Sequence, residues 1–481
     1  MDFAYRLTLL FSIAAFVGTA DAENPGLVVR VTQKGLDYAL QEGVIALQQQ
    51  LSHIQLKDIS GTYGLGFLGH ANYKFFSMNL GNVQLPGFQV SPIPNVGLKL
   101  STSGGFFEVN GRWDVRYSFI HEDGTFNLKV GGLGMSIGLN LRNIEHGKPT
   151  VSVADCSCRI ANVEVHMSGT IGWLVELFHG AVESEIRKEL ENKICPEVNK
   201  FINSDVSSFL RNQPVNKKID HISGLDYSLM GPPSVMANWV DVFVKGKFYG
   251  MSHIHHPPIF APPLTPPAMS LPPEQDHMVY FAVSDYVFNT ALLTYQRAGA
   301  LVLTLTDNMI PKKFGIHLDT NLLQRVIPSV SKMYPNMPMK LEMSAASTPA
   351  LNINPGGVTL SPVGNIQAYA ILPNSSLAPL FLLQAKMNAL AKVAVNSGKI
   401  VGSLELGKVE ISLVHSDVGL FSVSVISMAV NYYVSATLLP RVNEILKNGF
   451  PLPLIDHIQL TDFVIETYEH YLLFGANAHY E

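Results

Sequence analysis

The stretch PPIFAPPLTPPAMSLPP, Pro257 to Pro273, decides how the rest of the chain is read. Its four Pro-Pro pairs lack backbone donors and exclude both helix and ladder pairing, so it reads as an extended, semi-rigid connector. It lies near the middle of a 481-residue chain, which is too long for one ordinary core. The expected division is a leader over 1–22, a first domain over 23–250, a linker over 251–275 and a second domain over 276–481.

Working outward, both halves share one grammar. In the first, Leu36, Leu40, Val44, Leu47, Leu51 and Ile54 recur at steps of three and four, the stripe of an amphipathic helix. Strands of period two come next, with Phe107, Val109, Trp113, Val115, Tyr117 and Phe119 on one face and Glu108, Asn110, Arg112, Asp114, Arg116 and Ser118 on the other. Glu122-Asp123-Gly124 is the expected turn, and Phe126, Leu128 and Val130 resume the alternation. A second long helix carries Leu174, Phe178, Val182, Ile186, Leu190, Ile194 and Val198. In the second half a helix is expected over Met278 to Tyr295. Strands through Met339/Leu341/Met343 and Val409/Ile411/Leu413 come next, then an amphipathic stretch through Tyr433, Leu438, Val442 and Ile445. Helix, strands and helix thus occur twice, a pseudo-duplication in pattern. The fold class is α+β, with a long helix laid over a strongly twisted antiparallel sheet in each half. A sheet that curls further than its helix can fill leaves an elongated apolar slot suited to acyl chains.

Composition points the same way. The chain is 47% hydrophobic and 15% charged, against roughly a quarter charged in ordinary soluble domains, so either the cores are large or some apolar surface is reserved for a greasy ligand. Leu7 to Val17 is an apolar run behind Arg6 and ahead of Ala20-Asp21-Ala22, the form of a cleavable secretory leader with the mature start near Glu23. With no retention signal in Ala478-His479-Tyr480-Glu481, the expected location is extracellular or granule-stored. Cys156, Cys158 and Cys195 fit an oxidising compartment with one disulfide and one spare thiol, and spacing leaves open which of the first two pairs with Cys195. Asn374-Ser375-Ser376 is a glycosylation sequon beside Pro373. The net charge is −5, or −4 once Asp2, Arg6 and Asp21 are removed, so nothing drives binding to nucleic acid.

Three motifs are decoys. Gly64-Leu65-Gly66-Phe67-Leu68-Gly69 spells the dinucleotide fingerprint, which requires a strand before and a helix after to hold a pyrophosphate. Here a helix is expected before it, and Tyr73 to Met78 has strand character. Gly134-Met135-Ser136-Ile137-Gly138 spells the hydrolase nucleophile elbow, but Leu133, Met135, Ile137, Leu139 and Leu141 alternate through it, so Ser136 belongs to a strand. His253, His255 and His256 lack a second ligand cluster at metal-binding spacing. No catalytic residue, metal or cofactor is expected.

The basic residues Arg112, Arg116 and Lys129 lie on adjacent strands flanking the hairpin, with Lys99 further back and Trp113 and Tyr117 on the opposite face. Guanidinium forks suit phosphate oxygens. From Lys99 to Lys129 these four bases are matched by Glu108, Asp114, Glu122 and Asp123, so long-range attraction is not expected.

A run of segments resembles the bactericidal/permeability-increasing protein and lipopolysaccharide-binding protein family. They are Val29 to Ala39, Pro94-Asn95-Val96-Gly97-Leu98-Lys99, Gly172-Trp173-Leu174 with Leu177-Phe178-His179, and Leu225-Asp226-Tyr227-Ser228-Leu229. In the second half Met278-Val279-Tyr280-Phe281, Ser284 to Ala291, Tyr334-Pro335-Asn336-Met337 and Gly449 to Leu454 continue it. The resemblance covers essentially the whole mature chain. It implies a boomerang of two lipid-binding barrels joined by a central sheet, with a phospholipid pocket in each half. It further implies lipid A recognition at the tip of the first barrel by Lys99, Arg112, Trp113, Arg116 and Lys129, and a Cys156–Cys195 disulfide that leaves Cys158 free. The implied partners are lipopolysaccharide, phospholipid, the Gram-negative outer membrane surface and a host receptor. The alternative is a carrier of phospholipid or sterol ester. Where this family's tip is commonly lysine-rich, Asp114, Tyr117 and His121 stand here, with Glu122 and Asp123 beside them.

Overall fold

The computed structural model describes residues 23–168, 172–251, 264–273, 276–309, 317–453 and 458–480. The expected leader, the first part of the linker and the three histidines His253, His255 and His256 lie outside the described residues.

The first half opens with β1 (Leu27–Thr32) and helix α1 (Gln33–Ser52), capped by Thr32, whose hydroxyl accepts the Gly35 N–H. Six strands come after it: β2 (Ile59–Gly64), β3 (His70–Gln84), β4 (Gln89–Ile93), β5 (Gly97–Tyr117), β6 (Ile120–Ile144) and β7 (Lys148–Met167). They pair antiparallel in the order β2-β3-β5-β6-β7, with β4 on the lower part of β5. Breaks in register between Thr102 and Gly105 on β5, and between Gly138 and Leu139 on β6, bend these long strands, because a bulge adds local twist. The concave face holds Phe75, Phe107, Val109, Trp113, Leu128, Leu133 and Ile137.

Helix α2 (Gly172–Lys200) closes that face. It runs through a π-turn (Phe201–Val206) into α3 (Ser207–Asn212). Ile186, Leu190, Ile194, Val198 and Ile202 are buried at steps of four, then Ser207 at a step of five. The wide turn carries the stripe across a stretch where regular spacing would have rotated it away from the sheet. The side chains of Leu174, Phe178 and Val182 lie outside the described residues.

Short strands β8 (Asn216–Lys218), β9 (Ser223–Asp226), β10 (Ser234–Val235), β11 (Trp239–Val244) and β12 (Lys247–Gly250) precede the linker. Beyond it come β13 (Val279–Ser284) and α4 (Asp285–Arg297). The helix expected over Met278 to Tyr295 therefore starts seven residues late. Val279 to Ser284 is a continuous apolar run, a pattern that suits a buried strand as well as a helix. It pairs on both sides, with β1 and with the last strand of the chain, Tyr471–Tyr480, which decides it as a strand.

The second half continues with β14 (Val302–Thr306), α5 (Pro328–Met333), β15 (Met339–Ala345), β16 (Leu351–Asn354), β17 (Gly357–Leu360), β18 (Val363–Ile371) and β19 (Leu377–Lys386). Next are β20 (Ala389–Asn396), β21 (Lys399–Leu406) and β22 (Glu410–Ser416), then α6 (Ser424–Tyr433), a π-turn (Val434–Leu438) and α7 (Leu439–Asn448). β23 (Phe450–Pro451), β24 (Ile458–Tyr468) and β25 (Tyr471–Tyr480) end the chain. Two five-stranded sheets result, β14-β15-β18-β19-β22 and β16-β17-β20-β21-β23. The π-turn again falls inside the long helix, so the duplication extends to this irregularity. It also moves the apolar stripe. Tyr433, Leu438 and Val442 are half-buried, whereas Ile445, expected on the same face, is 68% exposed.

The halves are joined by a six-stranded sheet, β10-β11-β1-β13-β25-β24, with strands from both sides of the linker. Residues 264–273 lie extended along it. Asn24 donates to the Pro266 carbonyl, Arg30 to that of Pro272 and Tyr471 to that of Ser270, while Met269 and Leu271 pack beside Val28, Tyr280 and Leu473. The small β12-β9-β8 sheet packs against α4, where Phe248 N–H donates to Thr290 and Tyr295 to Asp220. The chain ahead of the linker is thus seated on the helix beyond it. Among the described residues no helix is long and apolar enough to cross a membrane.

Candidate functional site

The β5–β6 hairpin is where sequence and structure differ most usefully. Its turn is at Ser118-Phe119, closed by the Tyr117–Ile120 pair, with Ser118 at φ +53°. The expected turn at Glu122-Asp123-Gly124 is part of β6 instead. Gly124 stands opposite Trp113, and a Cβ there would meet the indole nitrogen at 2.9 Å and the Ser168 carbonyl at 2.8 Å. This glycine serves close packing rather than a turn. Phe119, expected on the inward face, is consequently at the hairpin end and 94% exposed.

The basic residues divide into three groups. Arg112 and Arg116 are exposed on the outer face of β5, four residues or about 13 Å apart. Lys74, which the sequence reading missed, joins them. It lies on β3 directly across from Asp114, and Arg112 is across from Phe76. Only the β3–β5 pairing brings it there, since the strand character of Tyr73 to Met78 does not by itself say which surface Lys74 shares. Lys129 is opposite Glu108 on one side and Glu164 on the other, and so stands between two carboxylates. Lys99 pairs with Gly138, roughly 40 Å further along β5 from Arg112, and does not belong to the same surface. Trp113 is 1% exposed and donates its indole N–H to the Thr125 carbonyl, a core side chain that reaches a ligand only from inside the sheet.

Charge on the outer face is largely compensated locally. Lys74 is 2.9 Å from Asp58, Arg116 is 3.2 Å from Asp114, and His121 is 2.5 Å from the other Asp114 oxygen. The His121 hydrogen bond, above all, with the charge of Arg116, holds the Asp114 carboxyl below its ordinary range. Arg112 has no ion-pair partner among the described residues.

The decoys resolve on context. A strand, β2, leads into Gly64 to Gly69 where a helix was expected, because α1 ends at Ser52. The element after the glycines is another strand, β3, so they shape a hairpin loop and no helix N-terminus is available for a phosphate. Ser136 is in the middle of β6, paired with Ser101 and Ser157 on its neighbours, without the sharp turn an elbow needs. Among the described residues no three His, Cys, Asp or Glu side chains cluster to hold a metal.

Cys156 on β7 is bonded to Cys195 on α2, the pairing the resemblance implies, and ties sheet to helix across 39 residues. Cys158 is free, facing Met135 in the ladder, and burial together with Glu191 pushes its thiol up to about 12. Asn374 is exposed in the β18–β19 turn, accepting from the Ser376 N–H and hydroxyl.

Comparison with known proteins defines the class. Residues 35–209 match the N-terminal domain of the LBP / BPI / CETP family, and residues 217–480 match its C-terminal domain. The chain belongs to this family, and is thereby a lipid-binding protein rather than an enzyme. It is 40% identical to lipopolysaccharide-binding protein of Bos taurus, over 98% of this chain and 97% of the relative. It is 41% identical to the Homo sapiens protein of that name, over 95% and 94% of the two chains. Bactericidal permeability-increasing protein of Rattus norvegicus is 36% identical over 97% of both. A crystal structure of lipopolysaccharide binding protein superposes with a TM-score of 0.69 at 38% identity, covering 95% of this chain and 99% of that one.

Proposed function

We propose that this is a secreted innate-immune protein that binds lipopolysaccharide through its lipid A moiety, with residues 23–250 as the recognition unit. The observation that carries the reading is Arg112, exposed on the outer face of β5 without a carboxylate partner among the described residues, with Arg116 farther along the strand towards the hairpin end. Two guanidinium groups on one strand face suit the phosphates of lipid A, since each fork donates in parallel to two oxygens. The names and identity of the relatives support this choice of ligand. Because the neighbouring charges are compensated, acyl burial supplies most of the affinity, at about 0.8 kcal/mol per methylene. In the charge-reversed variant Arg112→Glu/Arg116→Glu, lipopolysaccharide titration should show binding weakened at least about tenfold. Unchanged affinity would remove this face from the site.

The apolar leader and the disulfide support secretion, and Asn374 is the proposed glycan acceptor. The Gram-negative outer membrane is the proposed source of ligand, and a host receptor the proposed recipient.

One observation favours lipid carriage as a second reading. Over residues 424–448 only Val434 is buried, while Ile426, Val430, Tyr433 and Leu438 are half-buried against the second-half core. A helix seated this loosely gives up few buried contacts when an acyl chain enters beneath it. Native mass spectrometry separates the two readings: abundant co-purified phospholipid without lipopolysaccharide affinity would establish the carrier.

A further inference from the structure

Between Asp417 and Arg441 the chain has no Asp, Glu, Lys or Arg, and this uncharged stretch encloses all of α6, its π-turn and the start of α7. A helix laid on a sheet ordinarily turns a charged face to water, and one that is apolar all round belongs in an interior. Here the inner side, with Ile426, Val430 and Tyr433, packs on the second-half core. The outer side faces water. Val425, Met428 and Tyr432, spaced at three and four residues, share it at 50%, 65% and 60% exposure, and Leu420 just ahead of the helix is 97% exposed. Ala429, Ala436 and Pro440 are exposed with them. A contiguous apolar face of this kind marks an interaction surface.

We propose that this face pairs two copies of the chain, their helices antiparallel about a two-fold axis between Ala429 and Tyr432. Such a pairing is self-complementary in size, with Tyr432 of each copy over Ala429 of the other, Val425 over Ala436 and Leu420 over Pro440. It is self-complementary in charge as well. Asp417, beside His415, bounds the uncharged stretch at one end, while Arg441 and Lys447 outnumber Glu444 at the other. Antiparallel copies set Asp417 of each near Arg441 of the other, twice in one dimer. A membrane-surface helix carries several Lys or Arg on its polar side, and a fluid phase requires no alternation of large and small side chains.

The length of the helix sets the strength of the contact. The rod from Ser424 to Asn448 is about 37 Å long and about 10 Å across, so pairing covers roughly 400 Å² per copy. A standard stable interface covers about 800 Å² per partner, which makes this dimer a transient one, dissociating at about 10–100 μM. The inference goes beyond the lipid A reading, which concerns residues 23–250. It is independent also of any acyl chain beneath α6, because it uses the side of the helix turned away from the sheets.

The test is sedimentation equilibrium of the full mature protein over about 1–200 μM, in buffer free of lipid, detergent and lipopolysaccharide. The weight-average mass should climb from monomer towards dimer. Met428→Glu, at a position already open to solvent, should weaken association at least about tenfold with thermal unfolding unchanged, because pairing would bury an uncompensated charge. Asp417→Arg and Arg441→Asp should each weaken the dimer about threefold, and Asp417→Arg/Arg441→Asp should restore it, since the exchange recreates both end contacts. A parent protein monomeric throughout, or a Met428→Glu variant that dimerises equally well, overturns the proposal. So do single exchanges without effect, or a combined variant no better than the single ones. A protein that stays monomeric yet floats with phosphatidylcholine vesicles, and loses this with Met428→Glu, would overturn it by making lipid the occupant. Because no lipopolysaccharide is present, each of these failures leaves the lipid A reading intact.

Discussion

Arg30 and Asp241 face each other across β1 and β11 and share two hydrogen bonds of 2.8 and 2.9 Å inside the central sheet. Trp239 stacks on the guanidinium at 4.4 Å and donates to the same carboxylate, while Arg30 also holds the Pro272 carbonyl of the linker. One side chain thus fastens two strands of the first half to the strap that leads into the second.

Breaking this pair leaves a buried charge uncompensated, which costs about 3–5 kcal/mol. Arg30→Met should lower stability by that amount in denaturant unfolding. Arg30→Met/Asp241→Leu should regain most of it, since removing both charges abolishes the desolvation penalty. A double variant as unstable as the single one would show that the pair contributes more than mutual neutralisation.

Gly124→Val places methyl groups against the Trp113 indole and the Ser168 carbonyl. Overpacking of this kind costs about 1–3 kcal/mol, and it should alter the near-ultraviolet circular dichroism of the buried indole. An unaltered spectrum with unaltered stability would mean that β6 can shift away from Trp113.

Cys158 should resist alkylation at neutral pH in the native protein and react fully once unfolded, because its half-buried thiol is held up at about 12. Rapid native labelling, detected by mass spectrometry, would contradict that burial.

His470 accounts for a pH dependence. Its Nδ1 is 2.9 Å from Asp285 at the start of α4, and that hydrogen bond, foremost, raises its proton affinity above the ordinary 6.5, with the charge of Glu469 adding to it. Asp285 itself is shifted upward by burial. A raised histidine stabilises fully below 6.5 and loses that contribution as pH climbs through the elevated native value. The melting temperature should therefore fall as pH rises above 6.5, and His470→Asn should flatten the slope. An identical slope in the variant would assign the effect elsewhere.

Much of the architecture was legible before any coordinates. Local periodicity is written in the chain itself, so the stripes of α1 and α2, the alternation through β5 and β6, the strand setting of Ser136 and the extended course of residues 264–273 all come from side-chain chemistry at fixed spacing. Family likeness added the cysteine pairing. Tertiary structure decided what depends on partners distant in sequence. Val279 to Ser284 became a strand because β1 and β25 were available on both sides. The hairpin turned at Ser118 and not at Gly124, because Trp113 required a neighbour without a side chain. Lys74 joined Arg112 and Arg116 while Lys99 did not, because the β3–β5 register, and not separation along the chain, sets which charges share a surface. Periodicity describes one segment at a time, and a surface belongs to several.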